Sequence, residues 1–374
     1  MAEARVSYAP TEEVTLLRNT AREFLDDRLP IPTVRELMMT PEGFDRSLWK
    51  EMADLGWTGL AIPEEHGGAG YGPVELSVIF EEMGRMVTPG PFFATVGLAT
   101  PVIMTLADDE QKAELLPGIA SGETIATLAV FEGSRDWGLE AIETTATRDG
   151  DRWMISGVKK HVLDGHLADL FLVAARTDDG VAVFPVRAGE TGVGVEQVDV
   201  LDPTRRQGNV AFEGVAAGRP LGGGPAADGL KKALAMASSL LANEQVGGAQ
   251  RCLEMSTEYA KTRHQFGRPI GSFQAVKHRC ARMLVKVEHA KSVAYHAVRV
   301  TDDEQEFAIA APLAASVASE AYVWAAGENI QLHGGIGFTW EHDAHLYLKR
   351  AKTSSLLLGD PRFHRQRLGD VLGL

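Results

Sequence analysis

Apolar residues recur at helical spacing over the first third of the chain. Val14, Leu17, Ala21 and Leu25 share one face, and Leu76, Ile79, Phe80 and Met83 share another ahead of Pro89. The turn-rich segment Ala61-Ile62-Pro63-Glu64-Glu65-His66-Gly67-Gly68-Ala69-Gly70 separates them. Near residue 123 the pattern changes. Ile125–Val130, Thr144–Arg148, Trp153–Ile155, Phe171–Ala175 and Val181–Val186 are short and β-branched, and Asp149-Gly150 between two of them is a hairpin signal. Strands this close together, with no helical pattern between them, predict an antiparallel sheet or barrel rather than βαβ units. After Gly222-Gly223-Gly224-Pro225 the helical period returns. It predicts helices over Ala233–Thr262, 273–300, 304–329 and 341–356, the second with a stripe at Phe273, Val276, Cys280, Leu284, Val287, Ala290, Ala294 and Val298. Four long helices on short connections predict a bundle. The expected class is α+β and mostly helical: an N-terminal helical domain over 1–121, a central antiparallel, barrel-like β-domain over 122–218, and a C-terminal four-helix bundle over 225–374.

Composition narrows the function classes. The 374 residues are 45% hydrophobic and 24% charged, ordinary values for a globular protein. A net charge of −14 argues against nucleic-acid and anionic-membrane partners, which select basic surfaces, although a local basic pocket can still hold an anion. Cys252 and Cys280 both fall in apolar helical segments and read as buried free thiols, in keeping with a reducing cytoplasm. The first thirteen residues hold three acids and no apolar core, so they are not expected to be a signal peptide. No uninterrupted apolar run reaches the ~20 residues of a membrane span.

Two motifs carry chemistry. Arg263-His264-Gln265-Phe266-Gly267-Arg268-Pro269-Ile270-Gly271-Ser272-Phe273-Gln274-Ala275-Val276 places a helix stop beside a guanidinium, whose planar fork suits a pyrophosphate. Spacing alone leaves open a surface turn with an incidental arginine. Further on, Gln331-Leu332-His333-Gly334-Gly335-Ile336-Gly337-Phe338 combines an amide side chain with glycines that let backbone amides approach a ligand. Gly222-Gly223-Gly224 lacks the Lys-Ser/Thr of a phosphate loop and reads as a linker.

The two motifs, in this order and at this separation, resemble the flavin-binding elements of the acyl-CoA dehydrogenase family. Ile62–Gly70, Thr144-Thr145-Ala146 and Gly157-Val158-Lys159-Lys160 extend the resemblance over nearly the whole chain. It implies FAD as cofactor, an acyl-CoA substrate, a tetramer built through C-terminal bundles, and an electron-transfer flavoprotein as electron acceptor. It also implies that Arg263, Gln265, Phe266, Gln274, Gln331, Gly334, Gly335 and Gly337 reach the adenine and pyrophosphate end of a neighbouring subunit's flavin.

The chain departs from the family where the flavin ring would lie. The family's Thr-Glu-Pro aligns with Phe131-Glu132-Gly133, and its Gly-Ser-Asp is only approximated by Gly133-Ser134-Arg135-Asp136. Its Trp-Ile-Thr-Asn-Gly aligns with His161-Val162-Leu163-Asp164-Gly165, and Leu163 cannot donate the bond a threonine would. The usual base aligns with Leu358, two residues before Asp360. The alternative base position, on the first bundle helix, aligns with Ala237. Glu244, two turns beyond Ala237, is a candidate catalytic carboxylate. A structural ion pair with Arg251 or a lysine on another helix is the competing reading. Half-kept sites resemble bacterial heterotetramers of the sterol side-chain type, in which one subunit lends elements to a flavin-bearing partner. The alternatives are a self-sufficient homotetramer using Glu244 or Asp360, a flavin monooxygenase on the same fold, and a scaffold without flavin.

Overall fold

The computed structural model describes residues 11–133, 137–150 and 152–374. In chain order the elements begin with α1 (Glu12–Arg28), α2 (Ile31–Leu37), α3 (Arg46–Asp54), α4 (Pro73–Arg85), α5 (Thr100–Leu106) and α6 (Asp109–Ala120). Strands β1 (Ala126–Ala129), β2 (Thr145–Asp149), β3 (Arg152–Leu163), β4 (Leu170–Thr177), β5 (Gly180–Arg187), β6 (Val193–Val198) and β7 (Gln207–Ala217) follow. The rest is α7 (Ala227–Thr262), a small hairpin β8 (His264–Gln265) and β9 (Arg268–Pro269), then α8 (Gln274–Arg299), α9 (Glu304–His333), α10 (Ala344–Ser354) and α11 (Pro361–Leu372).

Two compact units emerge, and they do not follow the linear order. Of the described residues, one gathers those up to Thr33, Gly72–Thr88 and Ser238–Leu374; the other gathers those within Val34–Tyr71 and Pro89–Ala237. Helix α4 thus belongs with the C-terminal helices although it lies far from them in sequence.

The first unit is helical: α7, α8 and α9 share an alanine-rich interior that includes Ala242, Ala290, Ala294, Ala310, Ala314 and Ala318, and α10 and α11 pack against α9. Small side chains let helices approach closely. Helices α4 and α7 come very close at two glycines. A Cβ on Gly84 would lie 1.9 Å from the Glu244 carbonyl oxygen, and one on Gly247 would lie 1.8 Å from that of Glu81. The stretch Glu304–Phe338 is long and apolar enough to cross a membrane by composition alone. However, 61% of its most apolar window is buried, as for a core helix.

The second unit holds a seven-stranded sheet in the order β1-β4-β2-β3-β7-β6, with β5 on β4. Phe171, Phe184, Phe212, Ile155 and Val210 form its core. The sheet is mixed, which corrects the antiparallel expectation. Strand β1 pairs β4 in parallel from Ala126↔Leu170 to Ala129↔Val173, and Thr145↔Arg176 is also parallel. Strands β6 and β7, which the sequence pattern did not reveal, pair antiparallel. Where Lys159↔Val210 gives way to Val162↔Gly208, β3 carries one more residue than β7. This bulge holds His161 at φ +56°, a left-handed conformation unusual outside glycine.

Candidate functional site

The predicted binding residues collect at one end of the helical unit. The last turns of α7 and α9 meet there: the Ser256 hydroxyl bonds the Asn329 side-chain carbonyl at 2.9 Å, and the Tyr259 and His333 rings lie 4.3 Å apart. Each helix then releases one motif. Arg263 leaves α7 and opens the β8–β9 hairpin, paired as His264↔Pro269 and Gln265↔Arg268. Its tip is Phe266-Gly267, with φ +54° and +78°. Left-handed angles at both positions mark a primed hairpin turn, which normally excludes a bulky residue at the first. Phe266 nevertheless stands there, 92% exposed. Its ring meets Phe273 edge-on at 6.0 Å, and the Arg268 guanidinium lies 4.2 Å over Phe273. Gln265 and Gln274, the latter the first residue of α8, are exposed. Among the described residues no carboxylate pairs with the Arg263 guanidinium.

The glycine motif closes α9. Gln331 is exposed. Gly334 adopts φ +64° and ψ −142°, and nothing lies within 4 Å of where its Cβ would be; Gly335 is equally open. These two glycines leave backbone accessible to a ligand. Gly337 has a different reason. Its Cβ would sit 2.8 Å from the His333 Cβ and 2.9 Å from the Ile330 carbonyl oxygen, so packing against the α9 end demands it.

Residues aligned with the family's ring-binding positions lie in the sheet unit. The Glu132 carboxylate takes hydrogen bonds from the amides of Glu143 at 2.7 Å and Thr144 at 3.0 Å, and ion-pairs with Lys159. Lys159 is fully buried and also donates to the Val130 carbonyl at 3.0 Å. Burial pushes its ammonium down to about 8, against the pull of Glu132. Burial opposes ionisation of Glu132 as well, but the bonds from Lys159 and Thr144 outweigh it and hold the carboxyl below its usual range. Leu163 is 3% exposed, and its carbonyl accepts from the Thr127 hydroxyl at 2.7 Å. His161 is exposed on the bulge, with Nδ1 3.0 Å from Gln207 Oε1. Ser134, Arg135 and Asp136 lie outside the described residues. A carboxylate already saturated from within and a buried leucine do not match the polar ring contacts expected of the family. The open glycines and the guanidinium at the bundle end do fit a pyrophosphate.

The candidate bases have structural partners. Glu244, 3% exposed, accepts from Arg350 Nη1 at 3.0 Å. Arg350 is itself 1% exposed, and its Nη2 donates to the carbonyls of Val87 at 3.1 Å and Thr88 at 3.0 Å. The competing reading of a structural ion pair is met, but through Arg350, 106 positions away, rather than Arg251, which meets Glu254 at 3.5 Å. No local signal marks Arg350, because its partners lie 106 to 263 positions away in sequence. Asp360 caps α11, accepting from the Phe363 amide at 2.7 Å, and Leu358 is 6% exposed.

Comparison with known proteins agrees with this arrangement. The acyl-CoA dehydrogenase N-terminal, middle and C-terminal domain profiles match residues 11–123, 132–215 and 229–373. Acyl-CoA dehydrogenase IpdE2 of Mycobacterium tuberculosis is 36% identical over 363 residues, covering 96% of this chain and 97% of that protein. The solved Tcur3481-Tcur3483 steroid ACAD variant is 35% identical with a TM-score of 0.89, covering 97% of this chain and 98% of its own. The ChsE4-ChsE5 complex from Mycobacterium tuberculosis is 29% identical with a TM-score of 0.91, covering 98% and 99%. With all three domains matched in order and a relative above 30% identity along nearly its full length, the chain belongs to the acyl-CoA dehydrogenase family.

Proposed function

We propose that this chain is a subunit of a heteromeric acyl-CoA dehydrogenase and completes an FAD site on a homologous partner. FAD, the cofactor of this family, supplies the hydride acceptor for α,β-desaturation of an acyl-CoA thioester. One observation carries the reading. Groups suited to a pyrophosphate stand open at the bundle end, whereas the positions that would supply a base hold Leu358, a helix cap and a carboxylate clamped by Arg350. In this reading the Arg263 guanidinium, with the open backbone at Gly334 and Gly335, holds phosphate oxygens of the partner's cofactor. Gln265, Phe266, Gln274 and Gln331 border it, and Glu244 is a strut rather than a base. The two-component names of the Tcur3481-Tcur3483 and ChsE4-ChsE5 relatives support a heteromer, and the first supports a steroid-derived acyl-CoA. The reading includes an electron-transfer flavoprotein as electron acceptor and a cytoplasmic location, with no nucleic-acid or membrane partner.

The test is flavin stoichiometry. Expressed alone, the chain should purify with little FAD; expressed with its partner, the complex should carry about one FAD per two chains. A yellow homotetramer with one FAD per chain would refute the proposal.

A further inference from the structure

The helical unit holds a groove of about 500 Å³ that neither motif lines. Ser319, Trp324 and Gly327 of α9 border it, together with Lys352 of α10 and, beyond that helix, Leu356 and Pro361. Three features of this lining are unexplained by packing. Ser319 is 3% exposed, and its buried hydroxyl has no hydrogen-bond partner among the described residues. Such a group is costly to leave unmatched. Gly327 stands inside a 30-residue helix, where only proline is less favourable. No neighbour requires it, since nothing lies within 4 Å of where its Cβ would be. The missing side chain therefore leaves open space and serves no helix contact within this unit.

The third feature is charge. Lys352 is exposed, and among the described residues no carboxylate pairs with its ammonium. The two acids in the lining are already taken by arginines outside it: Glu320 by Arg365, and Glu328 by Arg279 at 3.0 Å. A second ammonium, that of Lys286, lies 5.4 Å from the centroid of the half-buried Trp324 ring. The balance around the groove is thus positive, although the chain carries a net charge of −14. An ammonium and a hydroxyl can both donate to an anionic oxygen, and hydrogen bonds to a charged group are the stronger kind. A lining that is otherwise apolar and has no unpaired guanidinium fork suits a carboxylate on an apolar body better than a doubly charged phosphate, which is costlier to desolvate. The volume lies within the range of small-molecule sites.

We propose that this groove binds a small apolar carboxylic acid, its carboxylate held by Lys352 and Ser319 and its apolar body lying on Trp324, Leu356 and Pro361 in the space that Gly327 leaves. The test is calorimetric titration of the full chain, alone and in its co-expressed complex, with 2-naphthoate and with its neutral analogue 2-naphthamide. Saturable binding of the acid is expected in both preparations, with the amide weaker by about tenfold or more. Lys352→Gln should remove that preference. Ser319→Ala should weaken the acid by about fivefold. Gly327→Leu fills the groove without meeting packed atoms, so it should stay folded and lose binding of both probes. The proposal is overturned by no saturable binding of the acid below about 1 mM, by equal affinity for acid and amide, by a preference that survives Lys352→Gln, by unchanged affinity in Ser319→Ala, or by unchanged binding in folded Gly327→Leu. It is overturned as well if the chain alone binds the acid and the complex does not, which would assign the groove to the partner subunit.

Discussion

Replacing Arg350 with leucine separates a structural Glu244 from a catalytic one. The arginine is 1% exposed, and Glu244 is 3% exposed at 3.0 Å from it. Removing the cation takes the ion-pair partner from a buried carboxylate, which costs about 3–5 kcal/mol. The Val87 and Thr88 carbonyls lose a donor as well, at about 1–3 kcal/mol for each left unsatisfied. Val87 sits at φ +45°, unfavourable for a β-branched side chain, so Arg350 also grips a strained turn. The sum approaches the entire stability of an ordinary domain, about 5–15 kcal/mol. Arg350→Leu should therefore be severely destabilised or unfolded. Glu244→Gln should cost about 3 kcal/mol or more, because it strands the buried guanidinium. Glu244→Leu combined with Arg350→Leu removes both charges and should be more stable than Arg350→Leu alone, a coupling of ~2 kcal/mol or more. Urea unfolding, with the m-value checked for each variant, measures the cycle. Flavin content and acyl-CoA desaturation are then read on the co-expressed complex of each folded variant. The reasoning fails if Glu244→Gln keeps its stability to within about 0.5 kcal/mol and its flavin, yet loses ~10²–10⁴-fold in rate. Glu244 would then be a base.

Three further outcomes are expected. Arg263→Ala should weaken FAD retention by the co-expressed complex by roughly 1.5–3 kcal/mol, tenfold or more in affinity, without changing the unfolding midpoint; unchanged flavin content would make Arg263 only a helix-end residue. Gly247→Ala should force α4 and α7 apart, since its Cβ would lie 1.8 Å from the Glu81 carbonyl oxygen. It should cost about 1–3 kcal/mol or more in thermal unfolding, and a neutral result would show that this helix crossing yields easily. His364 is 3% exposed, and burial, reinforced by Arg367, pushes it down to about 4, so the unfolded chain takes up its proton first as pH falls. Its contribution is present in full above the ordinary value of 6.5 and should be lost, up to about 3 kcal/mol, as pH falls from there to about 4. Urea midpoints across that range should flatten in His364→Phe; an unchanged slope would place the proton uptake elsewhere.

Local chemistry in the sequence was enough to show much of this protein. Helical patterns located α8, α9 and α10 to within four residues at each end and α7 to within six, although α7 and α9 are buried on most sides rather than along one face. Helix α11 escaped: its buried set in the structure is only His364, too little to make a stripe. The hairpin signal at Asp149-Gly150 gave β2 and β3, but β6 shows no fully buried residue and left no alternation to read. The two ligand motifs were legible because a helix stop, a left-handed turn and an open glycine pair are written in consecutive residues. Partnership between distant residues was not. That Arg350 rather than Arg251 meets Glu244, that Gly84 and Gly247 admit opposing backbones, and that β1 runs parallel to β4 all depend on which faces meet after folding. The same holds for Ser319, Gly327 and Lys352, which are ordinary helix residues until α9 and α10 line one groove. A sequence specifies such groups one at a time, but only packing sets the distances and the burial that turn charges into a strut or a site.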